Sequence, residues 1–565
     1  MSQAYSRLIA GLPARAAAAG GVPASARQMQ QHIVQLPLAN PVVAAREVGR
    51  LLESMLETIW PGGERIDALE MLGATVGQLC AGFERQLASE SFPLPAAKQA
   101  LAETIARFQR ALAQGYALAV HELCAPAGKV GLMRGKSVAL ALARALQHGS
   151  QELLWRYRLY RNPLPETWRR LHAAYGFAQE AGLADKPVAL DAHTRVEPRV
   201  PYLHALLMAV SNPYRFSARE LNDAWDLTGL LAVRCTLNQA GAGSVAIDPA
   251  SDAGPGYLPE ERRAATPGLL WSFDADGARA ALAADRSLQP GGATGHSTYR
   301  LGDGRILQPG HLFLDRLQST WSGTAERDHV RLPAGHPLDA CVGLHGVHLL
   351  LAGGQPFQTF LAGLRGAGVA QGEQAQGPAW ASADGGGVAV LRVRVLDQSL
   401  GGYRLLWPNE SGTRIRVGEL VGLAQPAERG DVQDWMVGIV RWLRIEDDGK
   451  LDTGVSLLAR QALPAAARAP DSHGRLRSPQ RALLLVGEEG DEQLLMAHVG
   501  EAQPVALELS LPEDPRDWQP TPTVRLVQVR GTHAASPGYT ALTLGTPPRS
   551  AQHAAAAPTP EAQNA

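Results

Sequence analysis

Residues 393–408 read VRVLDQSLGGYRLLWP, two short strands folded around one tight turn. Val393, Val395 and Leu405 are strand formers, and Arg392 and Arg394 alternate with the two valines at the period of two that marks a half-buried strand. The turn carries an acid, a hydroxyl and two glycines: Asp397, Ser399, Gly401 and Gly402. Asp and Ser bond local backbone amides in many turns, and glycine supplies backbone conformations closed to other residues. The glycines shape the turn in any case. The acid and the hydroxyl also have the chemistry to face a ligand.

The same texture continues downstream. RIRV (414–417), GELVGLAQP, DWMVGIVRWLRI (434–445), a turn at EDDGK and LDTGVSLLA (451–459) are short strands separated by turn signals. This spacing predicts a small antiparallel barrel over 388–463. PAAARAPDSHGR (464–475) reads as a divider, and a second small β unit is expected over 476–548. GAGVAQGEQAQGPAWASADGGG (366–387) is a linker by composition, and 549–565 reads as a disordered tail.

Upstream, the period changes to 3.6. In residues 39–235, Val48, Leu51, Leu52, Met55, Leu56 and Ile59 recur at helical spacing. Asn40-Pro41 and the Ser217/Glu220 pair are helix-start signals, the second a capping box. A helical-hairpin bundle is expected here, preceded by a flexible N-terminus over 1–38. Residues 236–365 read as a small mixed α/β region with long loops. The fold class is therefore multidomain α+β: a helical N-terminal half, a mixed α/β middle, a β-barrel and a second small β unit. A chain of 565 residues exceeds one core, and three to five domains are expected.

Formal net charge is −1, so no global field favours nucleic acid or an acidic membrane surface. Cys80, Cys124, Cys235 and Cys341 are scattered without a C-x-x-C, which argues against a disulfide framework and fits a reducing cytoplasm. No apolar run has the roughly 18 residues of a membrane span, and the N-terminus has no hydrophobic signal-peptide core.

Four motifs carry less than they suggest. GLMRGKS (131–137) has three residues between its glycines where a phosphate loop has four, and it follows a helix rather than a strand. GHSTY (295–299) lacks the second glycine of a nucleophile elbow. His345 and His348 have no third metal ligand nearby. WRYRLYR (155–161) reads as one basic helix face, solvated or salt-bridged, and not as a nucleic-acid site. No convergent catalytic set emerges, so an enzyme, a metal site and a cofactor are not expected.

The strand order over 386–462 resembles the PilZ domain, the bacterial cyclic-di-GMP receptor module. DQSLGG matches that family's D/N-x-S-x-x-G signature at Asp397, Ser399 and Gly402, and Gly454-Val455 stands at its usual Gly-Val pair. The resemblance implies that Asp397 accepts hydrogen bonds from a guanine and that Ser399 donates one, with Gly402 letting the backbone approach a flat purine. The family's other signature, R-x-x-x-R, lies upstream of the barrel. In 366–387 it is missing, and Arg365 is the nearest arginine. The substitutes read from the sequence are Arg392 and Arg394 beside the turn, or Arg477 and Arg481 closing over the barrel as an arm. The reading is a cytoplasmic, non-enzymatic signalling protein that responds to cyclic-di-GMP. It would contact a protein partner through its helical part, in motility, pilus or biofilm control. The alternative is a structural adaptor whose barrel binds no nucleotide.

Overall fold

A computed structural model describes residues 2–17, 23–88, 94–126, 128–192, 194–238, 245–257, 270–288, 295–322, 330–366, 388–408, 415–427, 433–471, 473–486, 492–497, 505–513, 522–536 and 538–545. The chain forms two compact units, 1–326 and 327–565. The segments read as a linker (366–387) and as a disordered tail (549–565) lie outside the described residues, apart from residue 366 at the end of a helix.

The first unit is helical. Asn40 caps the helix Pro41–Glu57, its side-chain oxygen accepting from the Val43 amide, and Pro41 occupies the first turn. Long helices Gly62–Leu87, Ala96–Cys124 and Gly135–Arg158 follow, then Thr167–Glu180, Arg199–Val210 and Ala218–Leu231, the last opened by the Ser217/Glu220 capping box. The N-terminal residues read as flexible instead form helices Gln3–Ala10 and Ala26–Val34. Tyr5 and Met29 are fully buried, and the Tyr5 hydroxyl lies 2.8 Å from His121 Nδ1 on the helix Ala96–Cys124.

The residues after 235 do not make a separate core. A four-stranded sheet orders Thr236–Asn238, Trp271–Asp274, Val245–Ile247 and Gly256–Tyr257. Ile247, Phe273, Leu282, Phe313 and Trp321 join the same buried cluster as the helices. Trp271 packs edge-on against Tyr175 and Tyr202. The mixed region read as 236–365 is thus divided: its first part belongs to the helical core, and the residues from 327 belong to the second unit.

The second unit holds two barrels. The first comprises β1 (Pro337–Val342), β2 (Leu391–Ser399), β3 (Gly402–Trp407), β4 (Leu420–Ala424), β5 (Met436–Ile445) and β6 (Leu451–Ala459). The strands run β1-β4-β5-β6-β3-β2, and pairing of β2 with β1 closes the ring. Its start at 337 corrects the expected start at 388. Between β1 and β2 the chain makes helices Gly343–Leu351 and Phe357–Gly366, and this insertion separates the first strand from its neighbour in sequence.

The second barrel comprises β7 (Ala462–Arg468), β8 (Gln480–Val486), β9 (Glu492–Met496), β10 (Ala506–Leu511), β11 (Thr523–Ser536) and β12 (Tyr539–Gly545). It closes in the order β7-β8-β9-β12-β11-β10. The stretch 464–475, read as a divider, begins inside β7, so the second β unit starts at 462 and not 476. Alanine is a poor strand former, yet β7 is buried on both sides. Leu463, Ala465 and Ala467 face the barrel core, whereas Ala462 joins the packing between barrels and Ala466 the helix Phe357–Gly366. Small side chains are what that double burial requires. Leu344 and Val347 of the helix Gly343–Leu351 pack with Leu420, Val437 and Ile439 of the first barrel and Leu483, Leu485 and Leu495 of the second.

Candidate functional site

The hairpin β2–β3 closes at the Ser399–Gly402 pair, leaving Leu400 and Gly401 as its two turn residues. Val393, Val395 and Leu405 point into the barrel and are fully buried. Strict alternation would send Asp397 inward as well. A bulge between Val395 and Asp397 shifts the register, so that Asp397 pairs with Arg404 while Val395 pairs with Leu405. Residues paired across antiparallel strands point the same way, so Asp397 shares the outer face with Arg404.

Gly402 has a φ of +155°, and a Cβ there would run into the Val455 carbonyl oxygen of β6. Backbone cannot yield as a side chain can, so only glycine fits this crossing. Gly454 is constrained differently: the Trp442 indole lies across the position a Cβ would fill.

A chain of charges crosses this face. Arg331 Nη1 donates to Asp397 Oδ1 at 2.6 Å, and Arg404 Nη1 lies 3.9 Å from Asp397 Oδ2. Arg404 also donates twice to Asp452, from Nε at 3.0 Å and Nη2 at 2.7 Å, and Arg444 Nη2 adds a contact of 3.2 Å. The Asp452 side chain is 1% exposed, whereas Arg404 and Arg331 are 34% and 41% exposed. Hydrogen bonding to Asp452 holds the Arg404 guanidinium still more firmly protonated than usual. The Arg404 guanidinium stands 6.0 Å from the Trp442 ring centre. Ser399 Oγ makes a long contact of 3.5 Å to the Gly402 carbonyl.

Arg331 reaches Asp397 because the chain just before β1 lies alongside β2. Leu332 and Pro333 pair with Gln398 and Asp397, and the Ala334 amide donates to the Leu396 carbonyl. Arg331 is the second arginine of RDHVR (327–331), an R-x-x-x-R. The motif sought in 366–387 therefore stands upstream of the barrel's true first strand. Arg327 lies outside the described residues.

The substitute arginines are placed otherwise. Arg392 Nε donates to Asp339 Oδ1 on β1 at 2.7 Å, and Gln433 holds the other carboxylate oxygen at 2.9 Å. Arg394 is exposed on the same outer face as Arg392, opposite Leu406 and Pro337. Arg477 and Arg481 form no arm. Arg477 is held by backbone bonds to Ala469 and from the Arg468 guanidinium. Arg481 is in β8 opposite Ala466, with its guanidinium 4.9 Å from the Phe357 ring centre. Both are fixed to the second barrel: the connector on which an arm would swing begins inside β7, and the rest of it folds back on itself through the Pro470–Leu476 bridge.

His348 is buried, 3.2 Å from the Ala465 carbonyl and edge-on to Phe357 and Phe360. Among the described residues, no group of three or more His, Cys, Asp or Glu could hold a metal ion, and no helix is long and apolar enough to cross a membrane.

The outer face thus offers a carboxylate for the N–H edge of a guanine beside part-exposed guanidiniums suited to phosphate. Barrel, turn signature and arginine motif together define a PilZ domain. Residues 27–241 match the family described as "Cyclic-di-GMP receptor FimW, N-terminal domain", and residues 246–388 and 385–464 match its "middle PilZ domain". The chain holds a PilZ domain, and the likeness read over 386–462 is one part of a match that starts in the helical unit. It is 25% identical over 516 residues to the cyclic-di-GMP receptor FimW of Pseudomonas aeruginosa, covering 82% of each chain. No solved structure matches it.

Proposed function

We propose that the first barrel binds cyclic-di-GMP on its outer face and that the chain is a cytoplasmic signalling protein reporting that ligand to a protein partner. One observation carries the reading: two signature segments 66 residues apart meet there, Arg331 of R-x-x-x-R against Asp397 of D-x-S-x-x-G. The relative's name as a cyclic-di-GMP receptor supports it. Without nucleotide, Arg331 and Asp397 neutralise each other. The ligand offers each a better partner: phosphate takes the guanidinium, and a guanine edge takes the carboxylate, with Ser399 donating to an acceptor. Gly402 keeps the turn tight beneath it. Arg404 stays braced on Asp452 and steadies Asp397 from the other side. The helical unit is the part that contacts a partner, in motility, pilus or biofilm control.

Labelled cyclic-di-GMP titrated against the purified chain should bind saturably, and binding should weaken as salt rises because the contacts are ionic and part-exposed. Unlabelled cyclic-di-GMP should displace it and GMP should not. No binding at high micromolar nucleotide would leave the adaptor reading in its place.

A further inference from the structure

The turn GLMR (131–134) enters the helix Gly135–Arg158 and has no part in the nucleotide site. Its two central side chains stand in open solvent: Leu132 is 102% and Met133 92% exposed, the two most exposed large apolar residues among those described. The turn is nevertheless well fixed. The Arg134 amide bonds the Gly131 carbonyl, and Arg134 Nη1 donates to the Leu123 carbonyl at 3.0 Å.

Charge surrounds this tip unevenly. The sequence has five lysines, Lys98, Lys129, Lys136, Lys186 and Lys450. Lys129 and Lys136 flank the turn, and the Lys186 ammonium comes within 3.1 Å of where a Cβ of Gly135 would stand. All three are exposed. The neighbouring Asp185 is engaged with Arg199 at 3.0 Å.

We propose that this turn is a membrane-docking tip that seats on anionic phospholipid. Two apolar side chains on a protruding turn match shallow insertion at the headgroup boundary, and a ring of cations matches an anionic surface. A protein partner fits less well. Two side chains without a surrounding groove bury far less than the roughly 1,000 Å² of a specific protein interface. The near-zero net charge of the whole chain conceals the feature, because the basic residues are local. The proposal does not rest on nucleotide binding.

The test is co-sedimentation of the full chain with vesicles of phosphatidylcholine alone, and of phosphatidylcholine with about one third phosphatidylglycerol. The expected result is retention on the anionic vesicles only, declining with salt. Lys129→Gln/Lys136→Gln/Lys186→Gln should weaken it by roughly fivefold per lysine, and Leu132→Ser/Met133→Ser at least as strongly as one lysine. These side chains are exposed, so the variants should melt at the wild-type temperature. Equal retention on neutral vesicles, no retention on either, or retention unchanged in both variants would overturn the proposal.

Discussion

Acidifying the protein from about pH 7 to about pH 5 is expected to remove about 6 kcal/mol of the helical unit's stability. Three histidines there are held in neutral form, His172 fully buried and His148 and His204 half-buried. Burial, and then the charge of Arg144, push His148 down to about 3, with Nδ1 at 2.7 Å from the Gln109 amide oxygen. Burial pushes His172 and His204 each down to about 4. His172 has both ring nitrogens engaged: Nε2 donates to the Ala253 carbonyl at 2.8 Å, and Nδ1 accepts from the Tyr202 hydroxyl at 2.7 Å. His204 Nε2 donates to the Trp225 carbonyl at 3.0 Å. Unfolded histidine titrates near 6.5, so below that pH the unfolded chain takes up protons that the folded chain refuses. The stability is therefore present above about pH 6.5 and declines as pH falls toward 4, by about 2 kcal/mol per histidine at pH 5. That is a large part of the roughly 5–15 kcal/mol of a typical fold. Denaturant midpoints followed by the helical far-ultraviolet signal at the two pH values give the answer. Equal midpoints would contradict three histidines held neutral by the fold.

Asp452→Ala is expected to destabilise the first barrel by about 3 kcal/mol. The substitution strips the shared carboxylate from Arg404 and Arg444 and leaves two like charges facing a small cavity. A fully buried pair would lose more, but the two guanidiniums are 34% and 30% exposed and water compensates in part. Asp452→Asn keeps an acceptor and should lose about half as much. Arg404 would also lose its brace beside Asp397, so nucleotide affinity should fall with stability. Thermal unfolding of the two variants measures the first effect, and unchanged melting would show that the network is solvated rather than structural.

What was legible in the sequence was local. The Asn40-Pro41 start and the Ser217/Glu220 box act within four residues, and both stand in the structure as caps. D-x-S-x-x-G is a six-residue signal, so its turn was readable, including the need for glycine at 402. What was not legible depends on distant contacts. The helix Gln3–Ala10 is held by Tyr5 against His121, 116 residues away. β1 does not read as the first barrel strand in the sequence because two helices follow it before the chain returns to β2. With β1 at 337, the segment upstream of the barrel is the one that holds Arg327 and Arg331, and not 366–387. The bulge that turns Asp397 outward leaves no mark in a pattern of alternating residues, and an alanine-rich β7 does not look like a strand.

Calorimetric titration of cyclic-di-GMP into wild type, Arg331→Ala and Arg477→Ala/Arg481→Ala tests the nucleotide site most directly. Wild type should give saturable heat. Arg331→Ala should lose about ten- to a hundredfold in affinity, the worth of one charge-assisted contact at about 1.5–3 kcal/mol. The Arg477/Arg481 variant should bind as wild type does, because those side chains are fixed to the second barrel. Wild-type affinity in Arg331→Ala, or a loss confined to the Arg477/Arg481 variant, would contradict the site built on Arg331 and Asp397.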